Sequence, residues 1–132
     1  MLAALNTFPI TDYWLFDGEL RHHKTKGIKN KLVLYDVFIR AGELLIALPF
    51  RDRRKILESL MSIGVDAVNN VLTIPPQFTS GFDRVFKALV SNPEYEGLVL
   101  KNLDGRLDLG RKSAAESRWM FKVRRASNSY SY

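Results

Sequence analysis

The stretch Tyr95-Glu96-Gly97-Leu98-Val99-Leu100-Lys101 constrains this chain more than any other. Leu98, Val99 and Leu100 form an apolar run between Pro93 and the Asp104-Gly105 turn, which predicts a short buried strand. Glu96 opens that strand and Lys101 closes it. Charges are rarely buried without a partner, so both ends are expected where the strand emerges into a cleft or into solvent. Taken alone, the pattern is that of an edge strand with charged ends, and its meaning depends on what surrounds it.

The chain has 132 residues, enough for one modest core and too few for two comfortable domains. Its hydrophobic fraction of 46% and charged fraction of 26% are those of an ordinary globular protein, so a disordered or membrane class is not indicated. No apolar run approaches bilayer length, and Met1 to Phe8 lacks the basic start and apolar centre of a signal peptide. Cysteine is absent, which excludes a disulfide framework and a thiolate metal site. These features predict an intracellular, cytoplasmic protein without a membrane partner.

A net charge of +6 and a pI near 9.7 favour a polyanionic partner, nucleic acid or nucleotide phosphate. The cations are concentrated. Arg21, Lys24, Lys26, Lys29 and Lys31 fall in one acid-free stretch with His22 and His23, and Arg106, Arg111, Lys112, Arg118, Lys122, Arg124 and Arg125 fall in a second. Each stretch is either a solvated charged face or a surface that follows phosphates. The adjacent histidines cannot share a strand face and are assigned to a loop.

Along the chain, Met1 to Leu5 predicts a helical turn. Tyr13 to Leu20 predicts an aromatic-rich strand with Tyr13, Leu15, Asp17 and Glu19 on one face and Trp14, Phe16 and Leu20 on the other. Asp17 and Glu19 would repel unless a cation or hydrogen-bond donors lie between them. Leu32 to Ile39 predicts a second strand, and Ala41-Gly42 a turn. Pro49 introduces a helix from Phe50 to Met61, closed by Gly64. Its stripe of Ile56, Leu57, Leu60 and Met61 should be buried, with Arg51, Arg53, Arg54 and Lys55 in water. Val68 to Ile74 predicts a strand. A second helix is expected from Ser80, with Asp83 near a capping position and Phe82, Val85, Phe86, Leu89 and Val90 as core. Arg118 to Arg124 predicts a last strand, Trp119, Phe121 and Val123 opposing Met120, Lys122 and Arg124. The result is an α+β domain with mainly antiparallel sheets and flanking helices.

Four segments stand in order: Asp17-Gly18-Glu19-Leu20, Leu34-Tyr35-Asp36-Val37, Glu96 to Lys101, and Trp119 to Arg124. In this order and spacing the chain resembles motifs III, IIIa, IV and V of ATP-dependent polynucleotide ligases, members of the covalent nucleotidyltransferase superfamily. The connecting segment, with Gly42-Glu43, Leu48-Pro49 and Arg53-Arg54 before a leucine-bearing helix, resembles the stretch that joins motifs IIIa and IV in DNA ligases. The resemblance covers residues 13 to 125 and implies part of the ATP-grasp-like nucleotidyltransferase fold.

Ligases of this kind pass AMP from ATP to an enzyme lysine, then to a 5′-phosphate, and expel it as the nick is sealed. Each step is a displacement at phosphorus, so positioning and charge stabilisation supply the catalysis. The resemblance implies ATP and Mg²⁺ as cofactors. Glu19 and Glu96 would be oxygen ligands for magnesium, Glu19 with a ribose contact besides. Tyr35 would present its ring to adenine, Lys101 would point to the nucleotide or the polynucleotide backbone, and Lys122 and Arg124 would grip the α-phosphate. Arg21, Lys24, Lys26 and Lys29 would contact nucleic acid. These strands should line one cleft.

The sequence also departs from the family. Its nucleophile lies in a Lys-x-Asp-Gly pattern, yet Leu15 stands at the lysine position before Asp17-Gly18, and Lys101 is one residue too distant from Asp104-Gly105. Arg124 replaces a usual lysine. Residues 1–125 are therefore expected to be a partial adenylyltransferase domain, and 126–132 a frayed tail. Such a domain would be inactive alone, with a separate polypeptide as one source of motif I and of an oligonucleotide-binding-fold domain. Nicked DNA is the expected partner. An RNA ligase domain and a non-enzymatic basic nucleic-acid-binding module are the alternatives.

Overall fold

Lys31 to Arg40 alternates β-branched, aromatic and leucine side chains, and it becomes the central strand of the molecule. The structure is a computed structural model and describes residues 12–21, 31–64, 71–92, 95–107 and 118–126. Strand β1 (Leu15–Arg21) pairs antiparallel with β2 (Lys31–Arg40) along its length. At its other edge β2 pairs antiparallel with β3 (Glu43–Leu44) and, at the opposite end, parallel with β4 (Leu72–Thr73). Ala41 and Gly42, with φ of 49° and 81°, make the turn that the sequence indicates there. A separate two-stranded sheet joins β5 (Gly97–Lys101) to β6 (Met120–Arg124), again antiparallel. Helix α1 (Phe50–Gly64) packs on β2, and α2 (Phe82–Val90) rests on β5. The α+β architecture with mainly antiparallel pairing is the one expected, β4 being the parallel exception.

Leu34, Leu57, Leu60 and Leu72 form the buried centre, with Trp14, Phe16, Leu32, Met61, Val71 and Ile74 packed round it. Thus α1 contributes the leucine stripe its periodicity predicts. The pairing of β1 with β2 slips between Leu15 and Phe16 and again between Asp17 and Gly18. Since Asp17 faces Asp36 and Gly18 faces Leu34, Tyr35 is an extra, bulged residue of β2. A bulge of this kind bends its strand and re-aims the side chain it carries.

Two arginines expected in water are buried instead. Arg53 has no exposed surface, and its guanidinium makes a two-pronged bond to Asp36, 2.9 Å on each side. Arg54 is also buried, donating to Glu58 and to the Pro75 carbonyl. Phe50, Arg53, Leu57 and Leu60 recur with helical spacing, so Arg53 lies on the inward stripe and meets the one carboxylate of β2. Arg51 and Lys55 do stay exposed. The remaining Arg53 nitrogen donates to the carbonyls of Leu48 and Gly105. Gly105 and Leu103 also accept from the backbone of Phe50 and Arg51, satisfying donors that a helix start leaves unpaired. Arg51 and Asp104 add an ion pair. The loop after β5 is therefore fastened to the start of α1, and Arg53 joins β2 to that loop. Gly105 lies so close to Trp119 that an added Cβ would sit 2.6 Å from the tryptophan Cβ.

Other expectations are corrected by the thinness of the second sheet. A two-stranded ribbon cannot cover both its faces, so Leu98 and Leu100 are half-buried and Val99 is exposed rather than core. None of α2 is buried, although Val85, Phe86, Leu89 and Val90 are partly covered, and Phe82 is exposed. The helix begins after Gly81 in a left-handed conformation, without a side-chain cap, so Ser80 does not cap it. The Met1–Leu5 turn, the loop holding His22 and His23, the first part of the Val68–Ile74 strand and the 127–132 tail lie outside the described residues. Among the described residues no helix is long and apolar enough to cross a membrane.

Arg53→Met should strand Asp36 as a buried charge and cost about 3–5 kcal/mol in urea unfolding. Arg53→Met/Asp36→Leu should recover only part of that, because the Leu48 carbonyl still lacks the guanidinium donor and the Gly105 carbonyl keeps only Phe50. A single-variant loss under about 1 kcal/mol, the scale of a surface pair, would contradict this account.

Candidate functional site

Alternation on β1 places Asp17, Glu19 and Arg21 on one strand face, and that face meets the β5–β6 hairpin. Asp17 lies within range of the charges of Lys101 and Lys122, while the Arg21 guanidinium lies 5.9 Å from the centre of the Tyr95 ring. Glu19 stands between these two points. Across the seam, the ladder sets Lys122 opposite Val99 and Arg124 opposite Gly97, so Lys101, Lys122 and Arg124 share one face of the hairpin. An acidic strand face and a cationic hairpin face thus oppose each other.

Lys101 and Tyr35 are half-buried in the seam, and Asp17, Glu19 and Lys122 are exposed. Lys101 points inward: its ammonium lies 4.3 Å from the Phe50 ring centre and 5.6 Å from that of Trp119, and it donates to the Tyr35 carbonyl at 3.3 Å. Burial pushes the Lys101 pKa down. Asp36 and Asp17 oppose that shift, and Arg53 and Arg54 reinforce it. Burial pushes Asp17 up, against the opposing pull of Lys101, with Asp36 raising it further and Lys122 lowering it. Burial thus moves both groups toward neutrality, and their mutual attraction opposes the shift. Tyr35 donates its hydroxyl hydrogen to Glu19 Oε2 at 2.8 Å. Its pKa rises to about 12 through burial first, then through the bond to Glu19 and that carboxylate's charge, with Arg21 opposing and Asp17 adding.

Glu19, Tyr35, Lys101 and Lys122 therefore converge around Asp17. Glu96 and Arg124 stand at the other end of the hairpin, 3.5 Å apart, both substantially exposed. Gly97 makes that approach possible. Its φ is 155°, and a Cβ there would collide with the Val123 carbonyl. Arg21 borders the seam through Tyr95; Lys24, Lys26 and Lys29 lie outside the described residues. Sequence reasoning did not single out Asp36, Arg53, Phe50 or Trp119 as parts of the site. The signal for the first two was a lone carboxylate in an apolar strand matched by an arginine on an apolar helix stripe.

Among the described residues no three histidine, cysteine, aspartate or glutamate side chains form a metal cage. Magnesium is commonly held by one or two carboxylates plus substrate phosphates. Glu19, bonded to Tyr35, and Glu96, paired with Arg124, are single carboxylates of that type.

Residues 13–123 match the family described as ATP dependent DNA ligase domain. The chain belongs to this family. A DNA ligase from Methanocorpusculum labreanum is 30% identical to it over 112 residues, which cover 79% of this chain. The chain spans 19% of that relative's length. No solved structure matches. The matched span of the ligase domain runs from the Asp17 face of β1 to Lys122 on β6 and leaves out only Arg124 of the residues on these faces.

The Tyr35–Glu19 contact of this ligase domain is open to direct titration. A tyrosine raised above its ordinary value near 10 gives its full stabilising contribution below that pH and loses it as pH climbs through about 12. The absorbance difference between the protein and Tyr35→Phe should therefore titrate near 12, and Glu19→Gln should bring it down. A difference titrating near pH 10, or one that Glu19→Gln leaves unmoved, would contradict the contact.

Proposed function

We propose that this chain is the nucleotide-holding part of an ATP-dependent DNA ligase, working with nicked DNA, ATP and Mg²⁺. The observation that supports it is the opposition of Glu19, Asp17 and Tyr35 on one sheet to Lys101 and Lys122 on the other. A nucleotide polyphosphate needs cations for its oxygens and carboxylates for its metal, and both flank the same seam. In this reading Lys122 and Arg124 steady the α-phosphate, and Tyr35 offers its ring to adenine. Glu19 and Glu96 serve the magnesium that accompanies the phosphates, which screens their charge during displacement. Lys101 holds the Tyr35 backbone and lends positive potential to the seam.

Displacement at phosphorus demands in-line geometry and charge neutralisation more than covalent chemistry from these side chains. No Lys-x-Asp-Gly occurs in these 132 residues, so the adenylylated lysine is proposed to come from another segment or polypeptide, along with an oligonucleotide-binding-fold domain. The basic stretch from Arg21, with Lys24, Lys26 and Lys29, is proposed to follow the DNA backbone.

Calorimetric titration with ATP and magnesium tests this. Lys122→Ala, removing a charge-assisted contact, should weaken binding about ten- to a hundredfold, with Glu96→Ala weakening only the magnesium-dependent part. Neither should disturb duplex binding, whereas replacing Lys24, Lys26 and Lys29 with alanine should flatten the log–log salt slope by about 2.7. If the lysine replacements abolish the only detectable binding and ATP is not taken up, the basic-module alternative holds instead.

A further inference from the structure

Tyr35 is held at more points than a side chain needs merely to present a ring. It is the bulged residue of β2, its carbonyl accepts from Lys101, and its hydroxyl donates to Glu19. Glu19 lies on an exposed strand, where a three-carbon acidic side chain would otherwise sample several rotamers. We infer that the Tyr35 hydroxyl is a positioning group that aims the Glu19 carboxylate at the magnesium of a bound nucleotide, a role distinct from any contact of the ring with a base. The inference rests on the nucleotide-holding reading above.

The chemistry favours this over a purely structural bond. A phenol placed in a partly buried seam costs desolvation unless it finds an acceptor, and an ionised carboxylate is the strongest acceptor available. The bond engages Oε2 and leaves Oε1 for a hard cation or a ribose hydroxyl. Phenylalanine would keep the ring and lose this control. The carbonyl bond from Lys101 ties the donor to the cationic hairpin, so the carboxylate is aimed by a residue anchored to the sheet opposite its own strand. Such pre-ordering lowers the entropy cost of ligand binding without adding a contact to the ligand.

The test is calorimetric titration of the whole chain with ATP, with and without magnesium. Tyr35→Phe should weaken magnesium–ATP binding about three- to tenfold more than it weakens metal-free ATP binding. Glu19→Gln should weaken it at least as much, and Tyr35→Phe/Glu19→Gln should be no weaker than Glu19→Gln alone, because the two act through one carboxylate. A Tyr35→Phe protein with wild-type magnesium dependence, or fold-losses that multiply in the double variant, would overturn the inference while leaving the nucleotide reading in place. A wild-type chain that takes up no magnesium–ATP would overturn both. Phenylalanine preserves ring packing, and a thermal melt of each variant identifies any that has lost its fold.

Discussion

A guanidinium with no exposed surface, bonded on one edge to Asp36 and on the other to the carbonyls of Leu48 and Gly105, joins the central strand to the loop that follows β5. The four-stranded sheet carries Asp17, Glu19 and Tyr35, and the two-stranded hairpin carries Lys101 and Lys122. Neither sheet holds both halves of the site. Arg53 also lies 5.4 Å from the Trp119 ring centre and 5.9 Å from that of Phe50, the same rings that seat the Lys101 ammonium. The buried ion pair therefore acts with the Lys101–Tyr35 bond and the backbone bonds of Phe50 and Arg51 to hold the acidic and cationic faces against each other. Buried pairs gain little net stability over apolar packing but punish the loss of either member, which makes them effective at fixing one arrangement.

Burial then grades the charges along the seam. Burial draws Lys101 and Asp17 toward their neutral forms, and the attraction between the two charges opposes that shift in each. Farther out, Glu19, Lys122, Glu96 and Arg124 are exposed, where charge is inexpensive to maintain, with Glu19 bonded to Tyr35 and Glu96 paired with Arg124. The proposed ligand, a polyphosphate with its metal, has a matching character.

Much of this was legible in the residue pattern, because β1, β2, β5, β6 and α1 follow their hydrophobic periods and the four motifs fall on them. What escaped were features that depend on a partner distant in sequence. Arg53 has the polarity of a surface residue, and only Asp36, seventeen positions earlier, makes its burial tolerable. The bulge at Tyr35 depends on the register against β1, which alternation within β2 cannot reveal. The stripe of α2 predicts a core that a two-stranded ribbon is too narrow to complete. Glu19 and Tyr35 were singled out separately, but the hydrogen bond between them belongs to the folded chain alone.

The most direct test is paramagnetic mapping: isotope-labelled protein is titrated with ATP and manganese, standing in for magnesium, and the broadening of backbone amide signals is followed. If the seam holds the metal-bound nucleotide, the amides of Asp17, Glu19, Tyr35, Lys101 and Lys122 should broaden first and together, from both sheets at once. Broadening confined to one sheet, or to residues remote from Asp17, would show that the two faces do not act as one site.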